Sequence, residues 1–260
     1  MMNSSMTEVT PIRAFEDNYI WCIRQGKRCA VVDPGDAKPV LAFLQQHQLT
    51  LTDILITHHH DDHIGGLSSL KDKFPDAVVY AANRERISHV DHCLSEGDKI
   101  TLDGLSLQFE VFDVPGHTRD HIAFFGSVGL FCGDTLFSAG CGRLFEGSAE
   151  QMFGSLQKLA KLPANTKVYC AHEYTLANLR FASEVEPGNH QLRDYVSQAK
   201  QIRIKDQPTL PSTIARELSI NPFLRCDQPE VLQRVAQHAG KVLHGEKDTF
   251  AALRSWKDQF

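Results

Sequence analysis

The run Thr57-His58-His59-His60-Asp61-Asp62-His63 limits this chain more than any other stretch of it. In an extended segment residues i and i+2 point to the same side. His58 and His60 therefore present two imidazoles together, and Asp62 continues that row. His63 is free to turn to the other side as the chain enters Ile64-Gly65-Gly66, where glycine allows a sharp turn close to an ion. His59 and Asp61 are out of phase with the row and are expected to face solvent or to support the others. Neutral imidazoles are good ligands for zinc or iron, and carboxylates balance the metal's charge.

Two ions can be filled from this one segment only if other loops complete the set. The run Asp53–Thr57 reads as a buried strand that delivers the chain to the histidines. Three further candidates stand at the ends of expected strands: His117 after Leu105–Val114, Asp134 after Leu130–Cys132, and His172 after Lys167–Cys170. Ligands gathered from loops at strand ends are a common construction. A histidine-rich loop can be mere solvated surface. Three more ligand types at strand ends argue against that reading here.

The rest of the first 173 residues alternates short strands with a few helices. Ala30-Val31-Val32 runs into the turn Asp33-Pro34-Gly35, and Asp36 caps a helix carrying Val40, Leu41, Phe43 and Leu44. Asp17-Asn18-Tyr19 reads as a turn that positions a strand. Asp33 either orients a ligand histidine or caps its own turn. From Tyr174 onward helical patterns dominate, over about 175–185, 190–205, 228–239 and 249–257. The expected organisation is an α/β domain over 1–173 and a small all-helical domain over 174–260.

Bulk properties exclude several classes. The formal net charge is −5, divided into −7 over 1–175 and +2 over 176–260, which does not suit general nucleic-acid binding. No stretch of about 18 consecutive apolar residues exists, so no membrane span is expected. Met1–Arg13 lacks the basic end and apolar stretch of a leader. Seven cysteines without a C-x-x-C pair argue against a disulfide framework and fit a reducing cytoplasm.

The H-x-H-x-D-H segment, with Gly116-His117, Gly133-Asp134 and His172, resembles the metallo-β-lactamase superfamily. Within it, the run from Gly133 to Arg143, Ala171-His172-Glu173-Tyr174-Thr175 and the ending Leu253–Phe260 resemble the glyoxalase II (hydroxyacylglutathione hydrolase) family. The resemblance implies a four-layer αβ/βα sandwich with a helical C-terminal domain. It implies two divalent ions, zinc or alternatively iron or manganese. His58, His60 and His117 would hold one ion, Asp62, His63 and His172 the other, with Asp134 bridging them. Asp62 and Asp134 would take part in catalysis, with a metal-bridging hydroxide attacking the thioester of S-D-lactoylglutathione to give glutathione and D-lactate. That is the second step of methylglyoxal detoxification.

The same resemblance assigns Arg143, Tyr174, Arg254 and Lys257 to the glutathione moiety. Without it, Arg254 and Lys257 read first as a routine basic end of a helix capped by Asp248. Phe145 departs from the tyrosine of some family members and offers no hydroxyl. Cys141 is expected to be a packed thiol. The expected form is a cytoplasmic monomer acting on a small molecule, with neither nucleic-acid nor membrane partners. The rival reading is a persulfide dioxygenase with a single iron on the same fold. A nuclease would need a basic groove, and a non-catalytic metal-binding module would not need every ligand intact.

Overall fold

The computed structural model describes residues 6–82 and 84–260. The opening residues 1–5, part of the segment expected to lack a leader, lie outside them. The chain divides into two compact units, one formed by 1–113 and 120–133, the other by 114–119 and 134–260. This division by compactness falls elsewhere than the change of pattern at 173/174, because the segment after Asp134 packs among the helices that follow it.

In the first unit, β1 (Glu8–Ala14), β2 (Asn18–Gln25) and β3 (Arg28–Val32) pair antiparallel. Helix α1 (Ala37–His47) carries the chain over to β4 (Thr50–Leu55), which lies parallel to β3. Asp36 caps α1 as expected, its side chain accepting from the Lys38 N–H at 2.8 Å. The short α2 (Asp61–Ile64) and α3 (Leu67–Lys73) then lead to β5 (Val78–Ala81) and β6 (His92–Cys93), both parallel additions to the same sheet. A meander follows: β7 (Lys99–Leu102), β8 (Leu107–Asp113), β9 (Ile122–Gly126) and β10 (Gly129–Gly133).

The first sheet is buried on both faces, which is why its strands read as near-continuous apolar runs. Cys22, Val31, Ile54 and Val79 join Val40 and Leu44 of α1 and Leu67 and Leu70 of α3 in one core. The alternate positions Trp21, Ile23, Ala30, Val32 and Leu55 are buried too. Helix α1 therefore needs its apolar stripe at Val40 and Leu44, while its opposite face stays polar.

The second unit holds the hairpin β11 (Leu136–Phe137) and β12 (Gly140–Cys141), α4 (Ala149–Leu159), and β13 (Lys167–Cys170) with its short partner β14 (Ser212–Thr213). Five helices complete it: α5 (Thr175–Val185), α6 (His190–Ile204), α7 (Ile214–Ile220), α8 (Pro229–Ala239) and α9 (Glu246–Gln259). A capping box between Ser148 and Gln151 starts α4, which packs on α9. Phe153, Phe181, Phe223, Phe250 and Trp256 meet ring to ring in this core, with Phe181 and Trp256 centroids 5.3 Å apart.

The last helix begins two residues before the expected cap. Its boundary residue is Gly245, with φ 89°, a conformation glycine takes without strain. Asp248 lies inside the first turn and reaches back to accept the His244 N–H at 3.1 Å. Among the described residues, no helix is long and apolar enough to cross a membrane.

Candidate metal centre

In the first unit, the sheet's hydrogen bonding gives way to side-chain bonding where the histidine run begins. The Ile56 N–H still reaches the Tyr80 carbonyl at 2.9 Å. The Thr57 N–H instead donates to Oδ1 of Asp33 at 2.7 Å, and the Thr57 hydroxyl donates to Oδ2 at 2.8 Å. Asp33 is buried, with φ 53°, and its Oδ2 also lies 3.1 Å from Nδ1 of His63. Of the two sequence readings of Asp33, this contact favours the one in which it orients His63. A carboxylate beside Nδ1 favours a proton there, which suits Nε2 of His63 to a cation. That Nε2 lies 3.5 Å from Oδ2 of Asp62.

His58 and His60 face the same side, as the extended spacing requires, with Nε2 of His58 3.1 Å from Nδ1 of His60. Nδ1 of His58 meets the Thr57 hydroxyl at 3.1 Å. The extended row stops there. His60 sits at the head of α2, so Asp62 and His63 project from a single helical turn. Asp62 is half-buried, and its Oδ2 accepts from the Asn18 side chain at 3.0 Å. His59 points elsewhere as expected, with its Nδ1 3.5 Å from Asp120 and Arg86 against its Nε2. Asp61 is exposed.

The glycines around this turn serve closeness, not a sharp bend. A Cβ on Gly35 would lie 1.8 Å from the Asp62 carbonyl oxygen, and one on Gly66 would lie 2.4 Å from the Ala37 nitrogen. The Asp33–Asp36 turn and the ligand turn thus touch backbone to backbone, which places Asp33 beside His63.

In the second unit, Asp134 stands between two imidazoles. Nε2 of His117 lies 3.4 Å from its Oδ2, and Nε2 of His172 lies 3.3 Å from its Oδ1. All three residues are buried. Nδ1 of His117 donates to the Arg143 carbonyl at 2.8 Å, which again turns Nε2 inward. The His172 ring stacks on Tyr174, with centroids 4.7 Å apart and planes at 7°. Phe137 meets His172 edge-on at 5.9 Å, and Phe145 meets His117 edge-on at 5.2 Å. One carboxylate with an imidazole on each oxygen suits a ligand that bridges two cations, and His/Asp donors suit zinc, iron or manganese.

The loop after Asp134 is braced from the helices by residues that the sequence did not single out. Glu217 of α7 is fully buried and accepts the Ala139 N–H at 2.8 Å. It also accepts from the Asn221 side chain at 3.1 Å and bonds the Ser212 hydroxyl. Asn221 donates in addition to the carbonyls of Phe137 and Gly140, at 3.1 and 2.9 Å. Burial pushes the Glu217 carboxyl above its ordinary range, against these hydrogen bonds. His121 was also missed. It is buried and stacks on His58, with centroids 4.6 Å apart. A lone histidine between strands carries no periodic signal that would have revealed this. Cys141 is a packed thiol as expected, with burial raising its pKa.

The proposed substrate residues all lie in the second unit. Tyr174 is partly exposed beside His172. Arg143 is exposed, with Nε 3.4 Å from Oδ1 of Asp258. Arg254 is buried, pairing with the same oxygen at 2.8 Å and donating to the Cys141 carbonyl at 3.0 Å. The Lys257 ammonium lies 5.3 Å from the Phe181 ring centroid and 5.6 Å from that of Phe260. Burial lowers the Lys257 pKa, and Arg254 and Arg180 add to that shift.

Residues 14–172 match the family model described as the metallo-beta-lactamase superfamily, and 173–260 match that of the hydroxyacylglutathione hydrolase C-terminus. A hydroxyacylglutathione hydrolase of Nitrosomonas europaea is 51% identical over 98% of this chain and 97% of its own length. One from Aeromonas hydrophila is 52% identical over 98% and 100%. Among solved structures, the BLEG-1 B3 metallo-β-lactamase superposes with a TM-score of 0.63 at 25% identity, covering 84% of this chain and 99% of that one. ETHE1 from Myxococcus xanthus gives 0.58 at 26% identity, covering 83% and 96%. With both family models matched end to end and half the residues shared with these relatives, the chain belongs to the hydroxyacylglutathione hydrolase family and has the metallo-β-lactamase fold.

Proposed function

We propose that this chain hydrolyses S-D-lactoylglutathione and related 2-hydroxyacylglutathione thioesters to glutathione and the hydroxy acid, the second step of methylglyoxal detoxification. The observation that carries this reading is the 51–52% identity, over nearly the whole chain, to relatives of that name. The clustered histidine and aspartate donors of each unit support it. His58, His60 and His117 would hold one divalent ion and Asp62, His63 and His172 a second, with Asp134 shared between the two sets. Zinc, iron and manganese all suit these donors. Residues 1–173 form the catalytic part and 174–260 the glutathione-binding part, and the enzyme works as a cytoplasmic monomer.

When bound, such ions lower the pKa of water from ~15.7 towards ~7 and polarise a carbonyl oxygen. The chain's own residues prepare for that. The Arg143 carbonyl holds His117 in the tautomer that turns Nε2 inward, and the Asp33 carboxylate beside Nδ1 of His63 favours the same tautomer there. Asn18 fixes the carboxylate of Asp62, which orients the attacking water. Arg143, Tyr174, Arg254 and Lys257 hold the glutathione moiety so that the acyl carbon faces that water. Attack forms a new C–O bond, and the C–S bond breaks as the thiolate leaves. A thiol pKa of ~8.5 makes a thiolate a good leaving group, so no acid residue is needed to protonate it.

Metal analysis of the purified protein beside an assay of S-D-lactoylglutathione hydrolysis tests the reading. About two ions per chain and activity abolished by a chelator are expected. Full activity in a metal-stripped sample overturns it. A single iron with oxygen consumption on glutathione persulfide establishes the dioxygenase reading instead.

A further inference from the structure

Three cations gather at the end of α9, and one carboxylate ties two of them together. Oδ1 of Asp258 accepts from Nε and Nη2 of Arg254, at 3.1 and 2.8 Å. The same oxygen lies 3.4 Å from Nε of Arg143, a residue 115 positions away in the chain. Nη1 of Arg254 donates to the Cys141 carbonyl, two residues before Arg143, and the Arg254 guanidinium also rests 5.1 Å from the Phe223 ring centroid. The Arg254 fork is therefore largely committed within the protein. Arg143 has no comparable anchor: its side chain is 57% exposed, and its only described ion pair is with Asp258. Lys257 precedes Asp258 in the chain and feels its charge.

We propose that Asp258 is a positioning residue for the substrate's carboxylates: anchored by the buried Arg254, it orients the exposed Arg143 toward the glutathione moiety and keeps the cations from repelling one another out of place. This rests on the glutathione-thioester reading. An arginine held at Nε keeps its outer N–H groups directed away from the holding carboxylate, where a second carboxylate can meet them. Removing the holding charge leaves neighbouring cations with unfavourable Coulomb energy and more freedom to move. The cost falls on binding, because none of these groups touches the reacting bond.

The test compares D258N with the wild type on two thioesters: S-D-lactoylglutathione and an S-lactoyl-N-acetylcysteamine that carries no carboxylate. The expected result is a KM for the glutathione thioester raised roughly tenfold at little-changed kcat, partial recovery in D258E, and no matching loss on the truncated thioester. Equal losses on both substrates overturn the proposal, because they report a general defect of the fold or of the metal centre. An unchanged KM in D258N, with normal circular dichroism, overturns it as well. A wild type that does not discriminate between the two thioesters removes the glutathione reading itself, and the proposal with it. Loss of discrimination confined to D258N leaves that reading standing and supports the proposal.

Discussion

Oδ2 of Asp33 lies 3.1 Å from Nδ1 of His63, joining a turn at the end of β3 to the helical turn that follows the histidine run. Asp33 also receives both hydrogen bonds of Thr57, so one buried carboxylate organises both ends of the histidine run. D33N keeps the size and loses the charge that supports the ligand. Metal affinity is expected to fall about 10–100-fold, measured by chelator competition, with activity recovering at high metal concentration.

Gly35 is a matter of space. Its missing Cβ would overlap the Asp62 carbonyl oxygen at 1.8 Å, and backbone cannot move aside as a flexible side chain can. G35A is expected to lose about 3 kcal/mol of stability, read from denaturant midpoints, and to bind metal poorly because Asp33 and His63 are forced apart. G154A, at a helical position with nothing within 4 Å, is the control and should be neutral or stabilising.

Glu217 braces the segment that follows Asp134. E217A leaves the buried Ala139 N–H without its acceptor, while the Asn221 amide keeps the Phe137 and Gly140 carbonyls, and should cost about 1–3 kcal/mol. E217Q keeps an acceptor and should cost less. The carboxyl is raised above 4.5 in the folded protein, so the folded state holds its proton more tightly than the unfolded state. Its contribution is fully present below that value and is lost as pH rises through the folded pKa. E217Q should flatten this slope in the pH dependence of thermal stability.

Lys257 titrates early. Its pKa lies below 10.5, first through burial and then through Arg254 and Arg180. The KM for a glutathione thioester should therefore rise on the alkaline side before the ordinary lysine range is reached. In K257M the KM should be high, by roughly tenfold, and independent of pH over that range. Arginine stays charged throughout, so a persisting alkaline rise in K257M would assign the titration to another group.

Much of this protein is local and was therefore legible in the chain itself. The i, i+2 phase of His58 and His60, the apolar stripes of α1 and α9, the bounds of β13 and α5, and the ligand types at three strand ends depend on residues near one another in sequence. The tertiary structure decided what depends on distant residues meeting. Asp62 left the extended row because α2 begins at Asp61, and Asn18, 44 positions away, receives its carboxylate. Asp33 became a partner of His63 because two glycine-bearing turns close on each other without side chains between them. Glu217 and Asn221 reach back about 80 positions to hold the loop of Ala139. Such contacts leave no period in the sequence: each is one polar side chain, buried only when folding has already brought its partner to it.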